Sequence, residues 1–526
     1  MKRKWAYLSG IWVIPLGSSA GLTFLMGGFT IRAWLAASLL LMISLVGLVA
    51  LYHKAGSSRL LAWILLAAFV LRLGLGVTLM KGLPVVGYDT EQQNAGYVFF
   101  DAYRRDAQAL DIARSNAPLF SVFNRQYFSD QYGGYLGLSA LVYRVLAGGE
   151  HLPLLMLILS AFSGSAGVAF LWMLLSRIGH ENWQKTAGWV FALYPQSVLL
   201  GASHMRDPYL ISFLALFLWA GMEWHETGLK KTWPWISAAI AGLLLFSPGM
   251  ILPGAAAIAI WILAGKKNRA ISWCVVLLAV LAMMISITAL AYALTTPGVT
   301  PTSPLQVILT WFQEASGWDM TLAMRNSGML AHQLDGLPAW FRTIFILIYG
   351  LLQPVLPAAI MDDALPLWRG LTIWLSLGWY LVLPIVIYGT FTSLKKGADA
   401  DTRRMRWMAA LLWFWMALSS IRAGGDVWDN PRYRTLILVI FCLFVAWVWN
   451  SVRETSSRWL KRIFLIEGIA LGFFLQWYAS RYYHWGGKLN FYVMLILIVS
   501  FSLFVVAGGW LYDVRKARKI GKESGL

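Results

Sequence analysis

The sequence predicts an all-α polytopic membrane protein, and three observations carry that expectation. Of 526 residues, 59% are hydrophobic and only 13% charged, about half the charged fraction usual in soluble domains, roughly 25%. The apolar residues form repeated continuous runs, such as 33–52, 60–80 and 152–176, long enough to cross a hydrocarbon core of about 30 Å as helices. The runs do not alternate with polar residues, so helices rather than a barrel are expected.

Taken in order, spans over about 6–29 and 33–52 form a hairpin with Arg32 in its turn, and a third span over about 60–80 carries Arg72. Arg72 can snorkel toward an interface on its long stem. The basic, apolar N-terminus is read as a first span rather than a cleaved leader, because a second span follows directly. The short, Gly-rich segment 134–147 is expected to lie at the interface. Spans follow over about 152–176, 186–202 and 208–224, then two short ones divided at Ser247 to Gly249, where Pro248 marks a turn. A further span covers about 271–295, and 296–340 forms a second large outer segment. The run 341–360 is interfacial or re-entrant. Runs over about 368–393, 405–421, 435–450, 462–479 and 490–511 finish the chain, for a total of about 14 spans. Three parts are expected: a two-span extension over 1–58, a transmembrane module over 59–295, and an outer segment with C-terminal helices over 296–526.

Charge orients the chain. The net charge of +19 could suggest nucleic acid, but the basic residues sit in short clusters between apolar runs. Assigning every second loop to the cytoplasm gathers 26 of the 43 Lys and Arg on one side, the asymmetry of the positive-inside rule. Both termini are then cytoplasmic, in a plasma membrane, with no nucleic-acid partner. Cys274 and Cys442 are the only cysteines and both lie in apolar runs, so no disulfide framework is available. The seven histidines show no ligand spacing, and no phosphate-binding Gly-rich loop occurs.

On the outer side, 81–132 stands apart. It holds Asp89, Glu91, Asp101, Asp106, Asp111 and Asp130, a quarter of the 24 acidic residues in about a tenth of the chain. The same face collects Arg206, Asp207, and the group Arg422, Arg432 and Arg434 around Asp426 and Asp429. Carboxylates abstract protons and guanidinium groups bind phosphate oxygens bidentately. Local structure offers other uses for the same residues. Asp101 and Arg105 form an (i, i+4) pair on a helix, Asp207 before Pro208 fits a helix start, and Asn430 and Pro431 fit another. Trp311, Trp318 and Trp428 could stack on sugar rings, whereas most of the 29 tryptophans lie near span ends as interfacial anchors.

Three stretches resemble the integral-membrane GT-C glycosyltransferases, the superfamily of protein O-mannosyltransferases, aminoarabinose transferases and oligosaccharyltransferases. FFDAYRRDAQALDIARS resembles their first-outer-loop motif. FALYPQSVLLGASHMRDPYLISFLALFLWAG resembles the Pro-containing span that emerges at an Asp and re-enters, and NPRYRTLILVIF resembles an Arg-Tyr-Arg segment leading into a late span. The resemblance implies that Asp101 is the catalytic base and Asp207 the second acid. By their own chemistry, Arg206, Arg432 and Arg434 are expected at the donor phosphate, and Asp89, Glu91, Tyr103 and Asp106 around the substrate. The implied activity is inverting transfer of a sugar from a polyprenyl-phosphate-type lipid donor to a lipid, glycan or protein acceptor. Ala102 stands where many members have a second acid, and the two spans before residue 53 have no counterpart in the minimal module. The residues call for no cofactor, and a divalent metal, Mg or Mn, stays open.

Alternatives are a glycan polymerase or ligase, a flippase for a lipid-linked glycan, and a non-catalytic assembly subunit. A flippase would want ionisable groups within its spans, and apart from Arg72 the runs read as nearly charge-free.

Overall fold

The computed structural model describes residues 2–26, 29–123, 127, 130, 132–264, 338–395, 399–455 and 457–523. The expected span 271–295, most of the segment 296–340, and Cys274, Trp311 and Trp318 lie outside these residues. The described chain is helical throughout. Helices α1 (Lys2–Leu25), α2 (Ile31–Lys54) and α3 (Arg59–Val86) lead into the acidic segment, which folds as α4 (Glu91–Asn94), α5 (Phe100–Arg114), a 3-10 turn and α6 (Gly134–Val145). Then come α7 (Pro153–Arg177), α8 (Glu181–Leu193), α9 (Pro195–Gly201), α10 (Asp207–Thr227), α11 (Leu229–Phe246) and α12 (Ile251–Ala264). The later part comprises α13 (Ala339–Leu352), α14 (Leu356–Met361), α15 (Pro366–Ser393), α16 (Ala400–Ala423), α17 (Asp429–Thr435), α18 (Leu438–Thr455), α19 (Trp459–Tyr482) and α20 (Phe491–Glu523).

Among the described residues, seven helices are long and apolar enough to cross a membrane: α2, α3, α7, α15, α18, α19 and α20. The other expected spans fall on helices that are shorter, interrupted or more charged, or outside the described residues. The protein is therefore a multi-pass membrane protein. Helix α7 is its axis: 89% of its most apolar window is buried, and it packs against α10, α3, α2 and α8. Helices α19 and α20 pair with each other at the periphery and leave most of their surface exposed, as lipid-facing helices do. The predicted short helix at 134–147 is present as α6. Its 12 residues are too few to span, and it buries one face that includes Tyr135, Leu136 and Tyr143.

The run expected as one span over 186–202 is two helices. Pro195 lacks the amide hydrogen that would continue α8, so the chain breaks at Tyr194 and restarts as α9. Arg72 repairs the break. Its guanidinium donates to the carbonyl oxygens of Ala192 at 3.1 Å and Phe191 at 3.2 Å, to Ser197 Oγ at 2.8 Å, and to Ala68 O in its own helix at 3.0 Å. The side chain is fully buried. Snorkelling is thereby corrected: two carbonyls left over at the break in α8, with Ser197 Oγ and Ala68 O, hold this arginine inside. Two glycines make room for it, since a Cβ at Gly164 would lie 2.8 Å from Arg72 Nε and one at Gly201 2.6 Å from its Cδ. One further charge departs from the charge-free reading. Glu467, inside α19, has a buried Oε1 with no hydrogen-bond partner.

Replacing Arg72 by Lys keeps a charge but loses the planar fork. Each acceptor left unserved costs about 1–3 kcal/mol, so Arg72→Lys should lower the thermal unfolding midpoint of the detergent-purified protein; an unchanged midpoint would show that the α8 carbonyls do not depend on Arg72.

Candidate functional site

Three segments far apart in sequence meet at one end of the helices: α5, the turn between α9 and α10, and α17 with the turn before it. Each has a local reason for its shape. Helix α5 buries Ala102, Arg105, Asp106, Ala109, Ile112 and Ala113, a helical-period stripe, and turns Asp101 outward in its first turn. Asp130 accepts backbone N–H bonds from Tyr135 at 3.0 Å and Leu136 at 3.2 Å, satisfying amides that the start of α6 leaves unpaired. At α17, Asp426 Oδ1 accepts from the amides of Trp428 at 2.7 Å and Asp429 at 2.6 Å. Asn430 Nδ2 donates to Gly424 O at 2.9 Å across the turn, where Gly424 has a φ of +46°, a region that favours glycine.

Arg432 is the meeting point. Its Nε donates to Asp207 Oδ1 at 3.0 Å, and one terminal nitrogen lies 3.1 Å from Asp429 Oδ1 and 3.5 Å from Asp101 Oδ2. Arg432 and Asp207 are buried, whereas the side chains of Asp101 and Asp429 keep 49% and 45% exposure. Arg105 also reaches Asp101 Oδ2, at 3.3 Å. Arg206 donates to Asp130 Oδ1 at 3.3 Å and stands 5.0 Å from the centre of the Tyr132 ring. The site thus pairs two enclosed anions, Asp130 and Asp207, with guanidinium groups, and leaves two carboxylates open to solvent.

The charges are strongly coupled. Burial acts to lower the pKa of Arg432, but Asp207, Tyr433, Asp429 and Asp101 outweigh it and the net shift is upward. Arg105 is held below its ordinary value by burial and by Arg206 and Arg432, against Asp130 and Asp101. The protein packed around Asp429, with the neighbouring charges of Asp426 and Asp101, pushes its carboxyl up despite Arg432, although 45% of the side chain stays in contact with solvent. The Tyr433 phenol is raised by burial and Asp429, while Arg432, Arg422 and Arg206 pull it down.

The structure sorts the sequence candidates. Asp101, Asp207 and Arg432 converge, with Arg206 beside them. Asp207 is not the cap its sequence suggested: α10 starts at Asp207 with no side-chain capping bond, and the carboxylate is turned to Arg432. Arg434, two residues from Arg432, points elsewhere, because residues i and i+2 do not share a helix face. It donates to Gln353 O at 2.8 Å and Leu351 O at 3.3 Å and lies 3.5 Å from the centre of the Trp379 ring, so it anchors α17 to the link between α13 and α14. Asp106 is likewise interior. Its carboxylate accepts from Tyr97 Oη at 2.6 Å, His151 Nε2 at 2.6 Å and the Tyr143 hydroxyl, joining α5 to α6, to the segment before α5 and to the one after α6. Burial acts to raise the Asp106 carboxyl, but the His151 hydrogen bond, the charges of His204 and His151 and the Tyr143 hydroxyl hold it below the usual range. Tyr103 packs edge-on to Tyr97 at 5.8 Å. Asp89 accepts from Asn94 Nδ2 at 2.8 Å, and both Asp89 and Glu91 are exposed. Ala102 is buried and faces Gly76, Leu79 and His204, so an acid there would point away from Asp101. Asp429 is the residue whose weight sequence reasoning missed. Its i+3 spacing from Arg432 was the available signal.

Among the described residues, no group of three or more His, Cys, Asp and Glu side chains is arranged to hold a metal ion. The carboxylates of the cluster face arginines instead.

No protein-family profile and no curated protein matches the sequence. Among solved structures, the chain is similar to the archaeal oligosaccharyltransferase AglB from Archaeoglobus fulgidus in complex with an inhibitory peptide and a dolichol-phosphate. The identity is 13% and the TM-score 0.36, over 86% of this chain and 55% of that one. The apo form of the Archaeoglobus fulgidus oligosaccharyltransferase gives 15% identity and a TM-score of 0.37, over 81% and 57%. The chain spans little more than half the length of these structures.

Removing Arg432 strands Asp207 in the interior, and breaking a buried pair in this way costs about 3–5 kcal/mol. Arg432→Leu should therefore destabilise strongly, and adding Asp207→Leu should restore part of the loss in a double-mutant thermal cycle; independent, additive losses would show that the two side chains are not coupled.

A second outcome concerns pH. Burial holds His204 below the ordinary histidine value of 6.5, against Asp106 and the Pro153 carbonyl. As pH falls through 6.5, the unfolded chain takes up a proton that the folded protein refuses, so this residue costs stability on the acid side. His204→Gln should flatten the decline of the thermal midpoint between about pH 7 and 5, and an identical slope would assign that decline to other groups.

Proposed function

We propose that the protein is a membrane glycosyltransferase that moves a sugar from a polyprenyl-phosphate-type lipid donor to an acceptor at the outer face of a plasma membrane, with inversion. The observation that carries this reading is a solvent-facing carboxylate, Asp101, held on a buried arginine hub beside apolar helices. Asp101 takes the acceptor's proton as the acceptor oxygen attacks the anomeric carbon. The bond from that carbon to the phosphate oxygen breaks, and its electrons leave with the lipid phosphate. Negative charge developing on the phosphate is met by guanidinium groups. Arg206 suits this role, and so does Arg422, which has no carboxylate partner among the described residues and lies close enough to Tyr433 to act on its phenol. Arg432 fixes the acids, and Asp207 holds Arg432. A lipid-borne leaving group gives the reaction a reason to occur at a bilayer. The basic clusters support cytoplasmic termini and an outward-facing site.

The test is transfer of labelled sugar from a polyprenyl carrier by membranes containing the protein. Asp101→Asn should reduce the rate by about 10²–10⁴ while the protein remains folded, and undiminished transfer would remove Asp101 from the mechanism.

A further inference from the structure

The two open carboxylates differ in their surroundings. Asp101 stands on α5, whereas Asp429 follows Trp428 at the end of an aromatic wall. Trp428 meets Trp368 edge-on at 5.1 Å and 89°, and Phe99 at 6.4 Å and 85°. Trp368 is itself fixed: its Nε1 donates to Gln93 Oε1 at 2.9 Å, and Tyr88 stacks on it at 6.4 Å. The same Gln93 oxygen accepts the Tyr88 amide at 2.6 Å. Two parts of the chain, 88–99 and 365–428, therefore hold one half-buried indole rigidly. The backbone amides of both Trp428 and Asp429 are tied to Asp426, while Trp368 and Phe99 hold the indole and Arg432 holds the neighbouring carboxylate.

We propose that Trp428 and Asp429 form a subsite for the pyranose ring of the donor, a deepening that rests on the transferase reading above. A pyranose has an apolar C–H face and an edge of hydroxyl donors. An aromatic ring binds the first, and a carboxylate, which can only accept, binds the second. Arg432 fills one side of Asp429 at Oδ1, and the remaining exposure of the carboxylate serves adjacent sugar hydroxyls. Because Asp101 and Asp429 touch the same Arg432 nitrogen, a single sugar ring can reach from the Trp428–Asp429 unit to the base. Asp429 is thus assigned to the sugar, and the buried Asp207 to the arginine. The ligand class is a neutral hexopyranose with free neighbouring hydroxyls, carried on a lipid phosphate.

The experiment measures binding to the full-length protein in detergent. The probes are farnesyl phosphate and its glucosyl, mannosyl, galactosyl and N-acetylglucosaminyl conjugates. At least one conjugate should bind about tenfold or more tightly than farnesyl phosphate, a good hydrogen bond to a charged group being worth roughly that factor or more. Asp429→Asn and Trp428→Leu should erase this increment, while Trp428→Phe retains part of it, and farnesyl phosphate itself should bind all variants alike. Conjugates that bind no tighter than farnesyl phosphate, or an increment that survives both variants, would overturn the subsite and leave the transferase reading standing. If neither farnesyl phosphate nor any conjugate binds the natural protein, the lipid-phosphate donor fails and the subsite fails with it.

Discussion

The buried contact between Arg432 and Asp207 is the constraint on which the outer architecture of the site depends. A guanidinium removed from water is tolerable only with anionic partners in good geometry, and here the partners come from three elements. Asp207 fixes the start of α10, Asp429 belongs to α17 itself, and Asp101 comes from α5. The arginine therefore does more than neutralise charge: it sets the relative position of segments that share no secondary structure. Since Asp207 is enclosed and Asp101 half exposed, the hub also separates a buried acid from one open to solvent.

The other interior charges follow the same economy of partners. Arg72 has no carboxylate within hydrogen-bonding range among the described residues; it is held by carbonyl dipoles exposed where Pro195 ends α8. Arg434 combines two carbonyls with the face of Trp379, an arrangement available to a planar cation. Asp106 is the acidic counterpart, with two hydroxyls and an imidazole around it. These three residues brace the scaffold, and the carboxylates left partly exposed at the site are Asp101 and Asp429.

Much of the architecture was legible in the sequence because it is written locally. Runs of apolar residues, the break at Ser247 to Gly249 and the short amphipathic α6 all appear in the helices observed. Charge topology put Asp101 and Asp207 on one face, and the resemblance put them in one site. What local pattern could not carry was the direction of long-range contacts. Asp207 before Pro208 has the look of a cap, and only the fold brings Arg432 to it. Arg432 and Arg434 look equivalent as neighbours in sequence, yet the rotation of a short helix sends them to opposite sides. Asp106 shares the density of its acidic stretch with Asp101, but the α5 stripe turns one inward and the other out. Arg72 likewise could be understood only once the ends of α8 and α9 were known.

The separation of 225 positions between Asp207 and Arg432 has a consequence for biogenesis. The chain is made and inserted from its N-terminus, so the first acids leave the ribosome long before their arginine exists. Until α17 arrives, Asp207 has no counter-ion and the arrangement around Asp101 is unfinished. The arrangement around Arg432 is therefore completed only when a segment made late folds back onto segments inserted early.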